Sequence, residues 1–267
     1  MNEKLEIAES LETTPELLPF IPELLADIWV LGSSPHVIVE LLRSRGLPSK
    51  STRILDVGCG KGAVAIPLAQ ELGFQVLGVD LFEPFIQEAR HRAAQQRAPN
   101  LCRFEIGNMQ DRLNEARGFD AVIYAAVGAL GEVGLCVGKL RQAVRDGGYM
   151  VIDDGFLAET ARSEISGYEH YACHKATLQR LASHGDKLLR EIIIPAEEIE
   201  AHNVRNTELI RKRAENLAQR HPEAAKSLFQ YVERQEHECA ILEKEIVGAV
   251  WLLQRTEEVP DTTVSIC

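Results

Sequence analysis

Residues 53–62 read Arg-Ile-Leu-Asp-Val-Gly-Cys-Gly-Lys-Gly, a short apolar run that leads into three glycines at alternate positions. The apolar run predicts a buried strand, and Asp56 places a carboxylate near its carboxyl end. Gly58, Gly60 and Gly62 tolerate positive φ and carry no side chain, so a ligand can contact the backbone of this turn. The apolar residues that follow favour a helix packed on a sheet. A strand, a glycine turn and a helix in this order form the ligand-binding edge of open α/β sheets.

The rest of the chain alternates between strand-like apolar runs and helix-like segments. The predicted strands are 53–57, 75–80, 102–106, 120–125 and 149–153, followed by 188–194 and 246–253. The predicted helices between the first five strands are 62–72, 84–97 and 132–145. This alternation favours a mostly parallel α/β sheet covered by helices on both faces. The other predicted helices are 3–30 in two pieces, 35–45, 157–183 and 203–244.

Composition and charge narrow the classes of protein to which the chain can belong. The 267 residues are 45% hydrophobic and 26% charged, which is ordinary for a soluble globular protein. The formal net charge of −11 makes a nucleic acid a poor partner, because an acidic surface repels phosphates. No apolar run approaches the ~20 residues that span a bilayer, and the acidic start of the chain lacks the features of a signal peptide. We therefore expect a cytoplasmic protein without a membrane partner.

The cysteines and histidines do not predict a metal site. Six cysteines are scattered along the chain, and none forms a C-x-x-C pair. His170 and His174 are four residues apart, but Glu169 and Cys173 would point elsewhere on a helix. We expect mostly buried, reduced thiols and no bound metal.

The run from Ile54 to Gly62 resembles the first motif of class I S-adenosylmethionine-dependent methyltransferases. Three later features match the order of the family: Asp80 at the end of the second strand, 18 residues beyond Gly62; Gly107-Asn108-Met109 after the third strand; and Gly147-Gly148 before the fifth. The resemblance covers about residues 53–155 well and implies a Rossmann-like, seven-stranded, mostly parallel sheet. It also implies S-adenosylmethionine as the cofactor and methyl transfer as the activity.

The resemblance assigns parts of the cofactor to residues at the carboxyl ends of the strands. The Asp80 carboxylate can accept hydrogen bonds from both ribose hydroxyls, and Asn108 can pair with the adenine edge. Asp56 would orient the glycine turn or reach the cofactor ammonium through water, while Phe82 and Met109 would pack on the adenine faces. The predicted cofactor-binding residues are Asp56, Gly58, Cys59, Gly60, Gly62, Asp80, Leu81, Phe82, Asn108, Met109, Tyr124 and Ala125.

The sequence says less about the methyl acceptor. Tyr124 and Ala125 end the fourth strand, under the sulfonium by the resemblance, and no Asn-Pro-Pro-Tyr or Asp-Pro-Pro-Tyr string follows that strand. That string is typical of enzymes that methylate planar amide or amine nitrogens, so its absence and the acidic charge favour a small-molecule acceptor over DNA. The predicted catalytic residues are His36, Asp153 and Tyr124. Other candidates for the acceptor pocket are Trp29, Asp154, Tyr168, His170, Tyr171 and His174. We expect Lys61 to be a solvated turn residue.

The resemblance divides the chain into four parts. Residues 1–50 would form an N-terminal helical lid, and residues 51–156 the cofactor-binding core. Residues 157–256 would supply helical insertions on the acceptor side together with the last strands, before a loose tail at 257–267. The oligomeric state is left open, with a homodimer among the alternatives.

Two other functions remain open from the sequence. The run from Gly58 to Ala63 matches the G-x-G-x-x-A pattern of an NAD(P)-dependent dehydrogenase, and Asp80 lies near the ~20 residues expected beyond it. Asp56, the third alternate glycine and the helical residues before the motif favour the methyltransferase. The third alternative is a non-catalytic module that binds S-adenosylmethionine, because an intact cofactor site does not establish turnover.

Overall fold

The structure, a computed structural model, describes residues 3–96, 98, 100–161 and 167–257. Its strands are β1 (Arg53–Val57), β2 (Gln75–Asp80), β3 (Cys102–Ile106), β4 (Phe119–Ala125), β5 (Val144–Leu157), β6 (Lys187–Ile193) and β7 (Ile246–Gln254). Its α-helices are α1 (Glu3–Ser10), α2 (Ile21–Leu24), α3 (Pro35–Arg43), α4 (Ala65–Leu72), α5 (Glu83–Gln95), α6 (Met109–Glu115), α7 (Val133–Ala143), α8 (His174–Leu181), α9 (Ala196–Arg220) and α10 (Ala225–Glu245).

The strands form one seven-stranded sheet in the order β3-β2-β1-β4-β5-β7-β6. β1 to β5 run parallel, whereas β7 is antiparallel to both of its neighbours, β5 and β6. This confirms the predicted Rossmann-like, mostly parallel α/β sheet. The strand order reverses between β1 and β4, and ligands bind such sheets beyond the carboxyl ends of the strands at this reversal.

Apolar layers cover both faces of the sheet. Side chains of α3, α4 and α5 are buried in one layer, and those of α6, α7 and α8 in the other. A third core joins residues 17–28 to α9 and α10, with Phe82 and Phe85 beside the end of β2. The N-terminal region and the α9–α10 pair therefore pack on each other next to the carboxyl edge of the sheet. No helix in the described part of the chain is long and apolar enough to cross a bilayer.

Two of the long predicted helices are interrupted in the structure. Residues 157–183 are not one helix, because Leu157 extends β5 and pairs with Cys173 in an isolated bridge, so that α8 begins only at His174. Within this span, residues 162–166 lie outside the described part of the chain. The predicted helix at 203–244 is instead the pair α9 and α10, separated at Pro222. Proline lacks the amide hydrogen that a continuous helix needs, and here it begins a short 3₁₀ turn.

The start of β5 also differs from its prediction. β5 begins at Val144 instead of residue 149, so Gly147 and Gly148 lie within the strand and not in a turn before it. The pairing of β4 with β5 shifts register between Phe119 and Ala121, which accommodates the two glycines. The helix after the glycine turn begins at Ala65, later than expected. The loose tail predicted from residue 257 lies, apart from Glu257, outside the described residues.

Candidate functional site

The glycine turn after β1 has the backbone that its sequence predicts. Gly58, Gly60 and Gly62 have positive φ angles of 69°, 49° and 75°. The Gly58 amide donates to the carbonyl oxygen of Val79 at 2.8 Å, which ties the turn to the end of β2. A Cβ atom at Gly58 would lie 2.5 Å from a methyl carbon of Val127. A larger residue at this position would therefore require the turn or the loop after β4 to move.

Asp80, at the end of β2, holds the glycine turn from its other side. The amide of Gly60 donates to Oδ2 at 2.9 Å, and the amide of Phe82 donates to Oδ1 at 2.9 Å. Burial raises the pKa of the Asp80 carboxyl, while backbone hydrogen bonds, including one from Leu81, lower it. Each carboxylate oxygen has a further lone pair. Asp80 can therefore keep the turn in place and still accept hydrogen bonds from a ribose diol.

Asp56 is the clearest sign that the edge is built for a ligand. The residue is 2% exposed, and its buried Oδ2 atom has no hydrogen-bond partner among the described residues. Burial, followed by the charge of Asp80, raises the pKa of Asp56 to about 8. A buried carboxyl oxygen without a partner is costly unless a donor or a cation reaches it. The ammonium that the sequence resemblance assigns to this position fits that requirement.

Cys59 packs under the turn. Its Sγ atom lies 2.8 Å from the position that a Cβ atom on Gly78 of β2 would take. Burial raises the pKa of the Cys59 thiol, so the group stays protonated and behaves as a small apolar side chain. Cys59 therefore supports the shape of the turn, as the need for a small residue there suggests.

Asn108 follows β3 and uses both ends of its amide. Its Oδ1 atom caps α6 by accepting from the Gln110 amide at 2.8 Å, and its Nδ2 donates to Oε1 of Glu6 on α1 at 2.7 Å. The helix-capping role of Asn108 is therefore clear, while its contact with adenine stays a prediction. α1 lies over the end of β3, where the adenine is expected.

The two side chains predicted to pack on adenine are both partly committed to the protein core. Phe82 is 8% exposed and packs edge-to-face on Phe85, with ring centroids 4.8 Å apart. Met109 is half-buried against the layer that contains α7. Their contact with the cofactor also stays a prediction.

At the end of β4, Tyr124 braces a loop. Its buried hydroxyl accepts a hydrogen bond from the Leu130 amide at 2.9 Å, and burial raises its pKa. Ala125 completes the strand, and Ala126 follows with a positive φ of 54° and donates its amide to the carbonyl oxygen of Asp153 at 2.9 Å. The Tyr124 phenol thus fixes the loop that borders the glycine turn, and its catalytic role stays a prediction.

Two consecutive carboxylates on β5 project to opposite faces of the sheet. Asp153 Oδ2 accepts from the Ser34 amide at 2.5 Å, and burial raises the pKa of Asp153 to about 7. Asp154 Oδ1 accepts from the Tyr171 hydroxyl at 2.7 Å and from the Gly155 amide at 2.9 Å. Burial also raises the pKa of Asp154. Both carboxyls are therefore held in fixed orientations near the carboxyl edge.

The aromatic candidates after β5 form a cluster, with one exception. The ring centroids of His170 and Tyr171 are 4.2 Å apart, and those of Tyr168 and Tyr171 are 6.1 Å apart. His174 lies elsewhere, with Nε2 2.9 Å from Oε1 of Glu191 on β6. Among the described residues, no group of three or more His, Cys, Asp or Glu side chains could hold a metal ion.

His36 is separate from the buried carboxylates. It is the second residue of α3, its side chain is 65% exposed, and its Nε2 atom lies 3.6 Å from Oε1 of Glu198 on α9. The inward face of α3 is apolar, so a polar ring at this position turns outward. The predicted role of His36 as a base over the cofactor has no support from this placement.

Lys61 corrects a prediction, because it is buried instead of solvated. Its side chain is 0% exposed, its Nζ atom donates to the carbonyl oxygens of Leu25 at 2.5 Å and Ile28 at 2.9 Å, and it lies 3.0 Å from Oε2 of Glu88. The Trp29 indole donates to the Lys61 carbonyl oxygen at 3.0 Å. A lysine is buried only where partners compensate its charge, and these partners are too distant in sequence to be foreseen from the turn.

Comparison with known proteins identifies the family. A family model described as a methyltransferase domain matches residues 48–227. The chain belongs to this methyltransferase family. Membership confirms the resemblance to class I enzymes and S-adenosylmethionine as the cofactor, and it does not support the dehydrogenase alternative.

Curated relatives of this methyltransferase are similar over part of their length. A ubiquinone biosynthesis O-methyltransferase from Mesorhizobium japonicum is 32% identical over 106 residues, which are 39% of this chain and 41% of the relative. A nocamycin O-methyltransferase from Saccharothrix syringae is 34% identical over 85 residues, which are 31% of this chain and 30% of the relative. The alignments thus span less than half of each relative.

Solved methyltransferases share the fold over most of the chain. A SAM-dependent methyltransferase from Geobacter sulfurreducens, in complex with S-adenosyl-L-homocysteine, has a TM-score of 0.74 and 16% identity. Another from Thiobacillus denitrificans, with the same ligand, has a TM-score of 0.73 and 16% identity. Each alignment covers 88% of this chain and 97% of the other. At this identity the similarity shows the fold alone.

Proposed function

We propose that this methyltransferase transfers a methyl group from S-adenosylmethionine to a hydroxyl or amine of a small molecule. The observation that carries the proposal is the pair of carboxyls beside the glycine turn, of which Asp56 is buried and Asp80 half-buried. Asp80 accepts two backbone hydrogen bonds and keeps lone pairs for a ribose, and Asp56 has a buried oxygen without a partner among the described residues. Gly58 and Gly60 carry no side chain that would keep the amino-acid end of the cofactor away from the backbone of the turn.

The chain contributes binding, orientation and a base. When bound, S-adenosylmethionine supplies a methyl group on a sulfonium, which an acceptor atom takes in an in-line displacement. Asp56 and Asp80 orient the two polar ends of that cofactor, and the braced loop after Tyr124 closes the side of the site. Positioning of this kind is a large part of catalysis when two reactants must meet in line.

Asp153 is our candidate for the general base. A hydroxyl or amine acceptor must lose a proton as the new bond to carbon forms, and a carboxylate at the carboxyl end of β5 can take it. The Ser34 amide fixes one oxygen of Asp153, and burial raises the pKa of the residue to about 7. A base with a pKa near the working pH is well matched to proton transfer.

A small molecule is a better candidate for the methyl acceptor than a nucleic acid is. The net charge of −11 repels phosphate backbones. Two of the curated relatives are named a ubiquinone biosynthesis O-methyltransferase and a nocamycin O-methyltransferase, which supports a small-molecule acceptor. We also propose a cytoplasmic location. For the oligomeric state we propose a homodimer, which analytical ultracentrifugation can distinguish from a monomer.

A thermal-shift series tests the cofactor assignment first. Adenosylmethionine and adenosylhomocysteine at about 100 times Kd should each add roughly 2.7 kcal/mol of stability, and NAD and NADP should add none. A shift with NAD or NADP alone would overturn the proposal. Release of adenosylhomocysteine is then measured with a panel of phenols, alcohols and amines. Turnover with one of them supports an enzyme, and tight cofactor binding without turnover across the panel supports a non-catalytic binding module.

A further inference from the structure

Residues 25–34, here called the roof segment, cross the carboxyl edge of the sheet from the glycine turn to β5. A Cβ atom at Gly60 would lie 3.3 Å from Cδ1 of Leu31, and one at Gly32 would lie 3.4 Å from Cβ of Ala126. The amide of Ser34 donates to Asp153 at 2.5 Å. The roof segment therefore touches the glycine turn, the loop after β4 and the proposed base in succession.

Lys61 connects the glycine turn to the start of this segment. It lies between two glycines of the turn, and its ammonium reaches the carbonyl oxygens of Leu25 and Ile28 at 2.5 and 2.9 Å. A third hydrogen bond has the opposite direction, because the Trp29 indole donates to the Lys61 carbonyl oxygen at 3.0 Å. Glu88 of α5, 3.0 Å from the ammonium, supplies the opposite charge.

The chemistry of this contact differs from apolar packing. An apolar side chain of the same length would fill the same space, but it would not fix the positions of two carbonyl groups. A buried ammonium that loses those partners keeps a large desolvation cost, so the hydrogen bonds hold the roof segment in one place. Arg92, whose guanidinium lies 5.4 Å from the centroid of the Trp29 ring and pairs with Glu88, extends the same network.

We infer that Lys61 is a positioning residue for methyl transfer. Its hydrogen bonds couple the cofactor-binding glycine turn to the roof segment, and the roof segment in turn contacts Asp153. The inference rests on the proposed function. A ligand that binds to the glycine turn also stabilises the hydrogen bonds of Lys61. These hydrogen bonds fix the roof segment, which orients Asp153, the proposed base. Because in-line transfer is sensitive to displacements of about 1 Å, loss of this coupling reduces the rate more than it reduces cofactor affinity.

The test compares Lys61→Met with Lys226→Met, a control at an exposed position on α10. Hydrogen exchange is followed in residues 25–34 and, as a measure of overall stability, in β7. We expect Lys61→Met to speed exchange in the roof segment by at least about tenfold and to leave β7 as in the wild type. Adenosylhomocysteine should slow exchange in the wild-type roof segment and in Lys226→Met, but not in Lys61→Met. With an identified acceptor, kcat should fall about 10- to 100-fold while the Kd of adenosylhomocysteine changes less.

The outcomes separate this inference from the proposed function. Equal acceleration in the roof segment and β7, or unchanged exchange in both, would overturn it, because Lys61 would then be a stabilising residue only or not a link at all. If Lys61→Met does not fold, Glu88→Gln removes the ion-pair partner and should speed exchange in the roof segment alone, though less. A wild-type protein that does not bind adenosylhomocysteine overturns the proposed function, while the difference in exchange between unliganded proteins still tests the coupling.

Discussion

Replacing Asp80 with asparagine gives a direct test of the cofactor site. The two carboxylate oxygens accept the amides of Gly60 and Phe82, each at 2.9 Å. An asparagine has one acceptor oxygen, so one of these amides would face an NH₂ group and lose its partner. A hydrogen bond to a charged group contributes about 1.5–3 kcal/mol, and we expect Asp80→Asn to destabilise the fold by about that amount.

The same substitution removes the charge that would hold the ribose. Loss of one charge-assisted hydrogen bond predicts that the Kd of adenosylhomocysteine rises about 10- to 150-fold. Calorimetry measures this Kd, and adenosine and 2′-deoxyadenosine measured by competition isolate the ribose contact. The variant should weaken adenosine binding more than 2′-deoxyadenosine binding, because the deoxy ligand has already lost one partner.

The matched control for Asp80→Asn is Asp120→Asn at the opposite end of the sheet. Asp120 also accepts a backbone amide, from Arg53 at 2.8 Å, and it pairs with Arg145 at 2.7 Å. We expect this control to lose stability but not cofactor affinity. An unchanged Kd in Asp80→Asn, or the same loss of affinity for both nucleosides, would refute the assignment of Asp80 to the ribose.

Three other substitutions test the glycine turn, the proposed base Asp153, and the contact of Glu238 on α10 with Glu12, which follows α1. Gly58→Ala should abolish cofactor binding and lower stability by about 1–3 kcal/mol, measured by calorimetry and denaturation, because its Cβ would meet Val127. Asp153→Asn should lower kcat and remove the rise of activity with pH through about 7, seen in a pH–rate profile. Glu238→Gln should make the protein about 1–2 kcal/mol more stable at pH 8.5, by urea denaturation, because burial and its hydrogen bond with Glu12 raise the pKa of Glu238 to about 8.

The activity effect follows from ionisation, because Asp153 can accept a proton only after losing its own, at a pH above about 7. The sign of the Glu238 effect on stability follows from proton uptake. Asp153 and Glu238 keep a proton in the folded protein up to about pH 7 and 8, whereas the unfolded chain loses it near pH 4. The folded state therefore binds more protons in this window, and stability falls as pH rises through it.

For Gly58, the control is Gly118→Ala, which has a similar positive φ but open space around its Cβ position. Equal effects of the two glycine substitutions would contradict a steric role for Gly58.

Much of the fold could be predicted from local patterns. β1 occurs at the predicted residues because its apolar run and the glycines after it are both contiguous in sequence. The helix predicted over 157–183 failed because Leu157 finds strand partners in β7, about 90 residues later. Pairing over that distance leaves no local signal, and the side chains of this segment suit either structure.

The part of the candidate site that depends on local sequence could also be predicted. Asp56 and the glycines lie within one short stretch, and Asp80 ends the next strand, so their spacing identifies the turn. Lys61 looked solvated because its partners at Leu25, Ile28 and Glu88 come from other elements. A residue whose environment is built from distant parts of the chain cannot be placed from its neighbours in sequence.

The position of β7 sets the order in which the strands of the sheet can pair during synthesis. β6 ends at Ile193 and β7 begins at Ile246, yet β7 lies between β5 and β6. Until the ribosome has released β7, the outer edge of β5 and both edges of β6 have unpaired backbone groups, which invite association with other chains. β1 to β5 can pair earlier, so the cofactor edge can assemble while the far side of the sheet is still open. Late insertion of one strand therefore makes the interval between the synthesis of β6 and the release of β7 the time of greatest risk of misassembly.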